Sequence, residues 1–191
     1  MPVTIGAKRE SDFTDPMGML SDCHRRIERF LEVLIAVTGE GRGAPLSDEQ
    51  RTALETGLRY FREAAPKHTA DEEESLFPRL QRLGGPEAQA LLARIEALRE
   101  DHVRAEMRHV EVNGLAQAWL DQGRLNPEDW ARLADLLAGL RELYRQHIGF
   151  EDREVFPAAE RVLPEAERRA VGAEMAARRG LMAARGGPDV G

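Results

Sequence analysis

His68–Pro78 reads HTADEEESLFP, and His147–Pro157 reads HIGFEDREVFP. Aligned on their histidines, the two stretches share H-x3-E-[ED]-x2-[LV]-F-P without a gap. A histidine and a glutamate four residues apart lie one turn above each other on a single helix face. In both copies that face is apolar on its N-terminal side. Leu54, Leu58, Phe61 and Ala65 lead into His68, and Leu133, Leu137, Leu140 and Tyr144 lead into His147. The repeat therefore sets equivalent polar pairs into the buried faces of two helices.

Two more helices follow outward from it. One starts near Pro16 behind an Asp15 N-cap, carries Leu20, His24, Ile27, Leu31 and Leu34, and is expected to stop before Gly39. The helix with the first copy opens at a capping box, Ser47 to Gln50, and Pro66 should kink it. Gly84, Gly85 and Pro86 punctuate the next boundary, after which Leu91, Ile95, Leu98, His102, Glu106 and His109 share a stripe. Asn126 caps the helix with the second copy, and Pro78 and Pro157 should end or bend their helices at matching heights. No alternating β-branched run suggests a strand.

The expectation is an all-α fold, an antiparallel up-down-up-down four-helix bundle with a short fifth C-terminal helix from Pro164 to about Arg179. Residues 1–15 read as an N-terminal arm, 16–160 as the bundle, and 161–191 as the short helix and a frayed tail from Gly186.

Composition agrees. With 42% apolar and 5% aromatic residues, the 191-residue chain is too apolar for disorder and too poor in aromatics for an all-β fold. The net charge is −7, and the basic residues, all arginine except Lys8 and Lys67, are dispersed. That argues against a nucleic-acid or membrane partner. Cys23 is the only cysteine, which excludes an internal disulfide and a cysteine zinc site. No apolar run is long enough to span a bilayer, and Met1 to Asp15 lacks the apolar core of a signal peptide. A cytoplasmic protein is expected.

Four of the five histidines have a glutamate four residues on: His24/Glu28, His68/Glu72, His102/Glu106 and His147/Glu151. An ionised carboxylate in an apolar core costs several kcal/mol unless something positive meets it. No seam position supplies Lys or Arg, so a metal is the natural counter-charge.

The order of a lone histidine, H-x3-E-E with L-F-P, D-H-x3-E, and H-x3-E-D with F-P resembles the hemerythrin-like HHE cation-binding family over about residues 15–160. The resemblance implies two iron ions with a bridging oxo or hydroxo group. Their ligands would be His24, His68, Glu72, His102, Glu106, His147 and Glu151. It further implies an open position for O2, peroxide or NO. Oxygen carriers of the family have a histidine where this chain has Glu106, and an Asp five residues after the last histidine, where Asp152 stands; Glu151 is the preferred ligand here. A third carboxylate favours the ferric state, so sensing or redox handling, including consumption of peroxide or NO, fits better than reversible O2 carriage. Zinc can substitute on such donors.

Two other readings use the same residues: an iron-responsive regulatory bundle whose metal controls an unnamed protein partner, and a metal-free helical interaction module. Outside the proposed ligands, Glu28 reads as solvated or supporting. Asp71, Glu73 and Glu74 read as a solvated acidic face, one of which could hold a ligand. His109, Tyr144 and Cys23 read as packing, although Tyr144 could reach a bound oxygen species and Cys23 could serve as a redox thiol.

Overall fold

The computed structural model describes residues 10–83 and 86–181, and among these it is all-helical without a strand. Helix α1 spans Pro16–Gly41, α2 Asp48–Glu63, α3 Ala65–Ala70, α4 Phe77–Arg82, α5 Pro86–Gln122, α6 Pro127–Phe150, α7 Phe156–Val162 and α8 Glu165–Arg178. Two π-helical turns, π1 at Asp71–Leu76 and π2 at Glu151–Val155, join α3 to α4 and α6 to α7. Residues 48–82 and 127–162 are thus interrupted rods lying between the regular helices. Most of the expected arm, the Gly84-Gly85 punctuation and the tail from Gly186 lie outside the described residues.

The caps work as their residues dictate. Asp15 accepts from the Gly18 amide, Ser47 and Gln50 exchange both capping-box hydrogen bonds, and Asn126 accepts from the Asp129 amide. Helix α1 does not stop before Gly39 but continues to Gly41. A Cβ on Gly41 would lie 2.7 Å from the buried Trp119 ring, so glycine lets the last turn slide beneath the indole. Trp130 then donates to the Thr38 carbonyl of that turn, and Arg42 closes it at φ 46°.

Three prolines shape the rods. The break before Pro66 falls at Ala64, because a proline disturbs the turn preceding it. Pro78 and Pro157 do not end their rods, which continue to Arg82 and Val162. Neither proline has an N–H for the carbonyl four residues back, and its ring crowds that carbonyl. The helix widens instead: Phe77 donates to Glu72 and Phe156 to Glu151, each five residues earlier.

Helix α1 packs on α2 and α6, α5 on α6 and α2, and α8 on π1 and α1. The buried apolar residues form two clusters. One holds Ile27, Leu31, Leu58, Phe61, Trp119, Leu140 and Ile148. The other holds Leu20, Phe77, Ile95, Leu98, Val155 and Phe156. His24, His68 and His102 fall in sequence between members of the two clusters, and His147 lies at the end of the first, beside Ile148, so the polar residues occupy the layer that separates them.

Candidate metal centre

Each copy of the repeat delivers its glutamate at or beside the start of a π turn, with the histidine one turn earlier in regular helix. His68 and Glu72 come from α3 and π1, His147 and Glu151 from α6 and π2; α1 adds His24 and α5 adds His102. Their donor atoms form two sets of four, His24, His68, Glu72, Glu151 and Glu72, His102, His147, Glu151, each within 4.8 Å. The two glutamates belong to both sets. Glu72 presents Oε1 to His68 Nε2 at 3.3 Å and Oε2 to His102 Nε2 at 3.3 Å. Glu151 Oε2 lies 3.1 Å from Nε2 of both His24 and His147.

Glu106 is not brought in. It is exposed on α5 and outside both sets. Residues four apart in a regular α-helix are rotated by about 40°. Helix α5 has no π turn after His102 to re-aim the carboxylate, as Glu72 and Glu151 have. Glu28 is likewise exposed.

The acidic residues beside the ligands hold the rings. Asp152 lies 3.0 Å from His24 Nδ1 and also accepts from Ser21, while Glu73 lies 2.7 Å from His102 Nδ1. Asp101 stands 3.5 Å from His147 Nδ1. Glu73 and Asp152 occupy the [ED] position of the repeat, so the second acid of each copy supports a histidine from a neighbouring helix. That signal was present in the spacing. Asp71 is not solvated: it is fully buried and paired with Arg178 at 2.9 Å and Arg179 at 2.6 Å. Nothing in the local sequence around Asp71 announces partners more than a hundred residues away.

A carboxylate on Nδ1 fixes the ring proton there, so neutral His24 and His102 aim bare Nε2 lone pairs at carboxylate oxygens. Both oxygens of Glu72, both of Glu151, and His24 Nε2 are buried without a hydrogen-bond partner. With the rings neutral, acceptors face acceptors in a dry core, which either a second ring proton or a bound cation relieves. The same demand governs the titration. Burial opposes charging His24, but Asp152, Glu151 and Glu72 overcome it and hold the ring well above its ordinary value. Burial also opposes charging His102, and Glu72 and its neighbours raise it to about 9. Burial alone would raise Glu72, yet His68 and His102 hold it well below the usual carboxylate range. His68 goes the other way, pushed down to about 4 chiefly by burial. The pocket keeps its carboxylates ionised and collects positive charge, which bound metal ions would supply.

Comparison with known proteins agrees with this geometry. The model of the hemerythrin HHE cation-binding domain matches residues 15–159. The chain belongs to this family. An uncharacterised protein of Haemophilus influenzae is 30% identical over 88 residues, 46% of this chain and 51% of that protein. The chain thus matches about half the length of that curated relative. For an HHE-family chain, the donors fit the group the family implies: two nitrogens and two shared carboxylates in each set, with buried oxygens lacking other partners.

Proposed function

We propose that His24, His68, Glu72, His102, His147 and Glu151 hold a pair of iron ions in an antiparallel up-down-up-down four-helix bundle, and that the protein senses or chemically handles O2, peroxide or NO. The observation that carries this reading is the sharing of two fully buried glutamates between two four-donor sets. When bound, iron supplies one-electron redox chemistry and a coordination position for such a small ligand. Glu72 and Glu151 neutralise charge, and the four histidines fix the positions. Glu73 and Asp152 orient the rings of His102 and His24 and make them more basic. Glu106 does not enter the count, so the bias toward the oxidised state rests on these supporting acids rather than on a third carboxylate ligand. That bias suits sensing or consumption better than reversible O2 carriage. The free, buried Cys23 accords with a reducing cytoplasm.

Metal analysis of purified protein tests the reading. Two irons per chain are expected; a stable protein with no metal overturns it, and zinc in the same sites overturns the redox role. After anaerobic reduction, O2, peroxide or NO is added. Sustained consumption identifies chemistry. A single oxidation linked to altered stability identifies the alternative, an iron-responsive regulator. The contact between α8 and the Glu72-bearing turn π1 favours that second reading, because it joins the centre to a surface helix.

A further inference from the structure

The six donors do not fill the space beside them. A cavity of about 630 Å³ extends from the four histidines to an opening between α2–α3 and α5. Its walls include Ile27, Leu34, Leu58, Phe61, Val112 and Ile148. A water molecule takes about 30 Å³, and O2, peroxide and NO are of similar size, so the cavity is about twenty times what such a ligand needs. Pockets that enclose small organic molecules run from about 300 to 1,000 Å³.

From this space we infer a binding site for a small uncharged organic molecule with an apolar body and one hydroxyl-like group, of the character of an alkylphenol. Two observations beyond volume set that chemistry. Within the wall, the Tyr144 hydroxyl lies 3.0 Å from His109 Nε2, and the His109 ring stacks on Phe61 with centroids 4.2 Å apart. Whichever partner donates, the hydroxyl keeps hydrogen-bonding capacity for a third group. At the rim, Val103 and Val110 are 56% and 69% exposed. These are two of the four large apolar side chains exposed among the described residues. An apolar lip leads into a chamber whose wall, between the rim and the four histidines at its floor, is apolar apart from the Tyr144–His109 pair. The opening carries both signs of charge, Arg62 hydrogen-bonded to Asn113 and Glu106 exposed, with Glu73 held by His102, and so offers no excess of either sign to an ionic head group.

The inference goes beyond the iron reading and does not depend on which ion the donors hold. Its test is titration of the protein as isolated with 4-ethylphenol and ethylbenzene, followed by calorimetry and ligand-observed NMR. One-to-one saturable binding is expected, with the phenol about five-fold tighter, the worth of one net hydrogen bond. Tyr144→Phe should erase that difference and leave ethylbenzene unchanged. Ala105→Phe, placing a ring in the chamber, should abolish binding of both. If that variant loses its helical circular dichroism, nuclear Overhauser contacts from the probe to Phe61 and Ile148 in the unsubstituted protein locate the site instead. Lack of saturation up to the solubility limit overturns the inference, as does equal binding of both probes by both Tyr144 forms. Contacts confined to Val103, Met107 and Val110 also overturn it, because they mark an outer surface. Loss of metal with probe binding intact would refute only the iron reading.

Discussion

Glu72 shows how far the buried polar layer depends on an ionised carboxylate. Its two oxygens are buried, unpaired by hydrogen bonds, and pressed against imidazole nitrogens. Glu72→Gln keeps the shape but removes the charge that His68 and His102 hold ionised and that raises His24 and His102 in turn. The metal-free variant should therefore be less stable near neutral pH than metal-free unsubstituted protein, by about 1–3 kcal/mol, and should retain far less iron. Thermal melts of chelated samples beside metal analysis check both halves; a rise in metal-free stability would refute the account. His109 gives a residue-scale pH prediction. Burial pushes it down to about 4 from the ordinary 6.5, so the fold favours the neutral ring. Its contribution is complete above pH 6.5 and is lost as pH falls through 4, an effect of up to about 3 kcal/mol. A ring-proton NMR titration of His109 with a midpoint near 6.5 would contradict it.

Among the elements, the π turns decide where the site forms. Pro78→Ala restores an N–H for the Glu74 carbonyl and permits an ordinary α-turn through 71–77. The variant should remain helical yet bind metal more weakly, because Glu72 loses the orientation that the wider turn provides; unchanged metal affinity would remove that role from π1. The second element-scale prediction concerns α8. Removing both Arg178 and Arg179 as glutamines strands the buried Asp71 carboxylate and should cost about 3–5 kcal/mol, whereas Asp71→Asn leaves two partly exposed arginines and should cost less. Denaturant melts of the two variants rank them.

The distinction between what can and cannot be read from sequence follows the same line. Asp15, Ser47 and Asn126 state their helix starts because capping is local chemistry, and His24, His68, His102 and His147 are visible because each interrupts an apolar stripe. The π turns are hidden because one added residue leaves a helical period nearly intact, although Phe-Pro at the same offset in both copies marks them. Glu106 shares the four-residue spacing of Glu72 and Glu151, and spacing alone does not distinguish a regular turn from a widened one. Asp71 depends on arginines 107 and 108 residues away.

For the whole molecule, the candidate metal centre is a polar layer between two apolar clusters, which α1 and α5 cross without a break. Stripping the ions should lower the thermal midpoint by several degrees, an effect that excess iron reverses under anaerobic conditions. The layered plan also bears on local opening. With its cations withdrawn, the molecule has a buried seam of imidazoles and carboxylates that only protons can satisfy across its waist, while the oily blocks on either side keep their own cohesion. Amide hydrogens around 68–75 and 147–154 should then exchange with deuterium well before those of either block, so that the demetallated chain opens first at its two widened turns while the unbroken helices still bridge it.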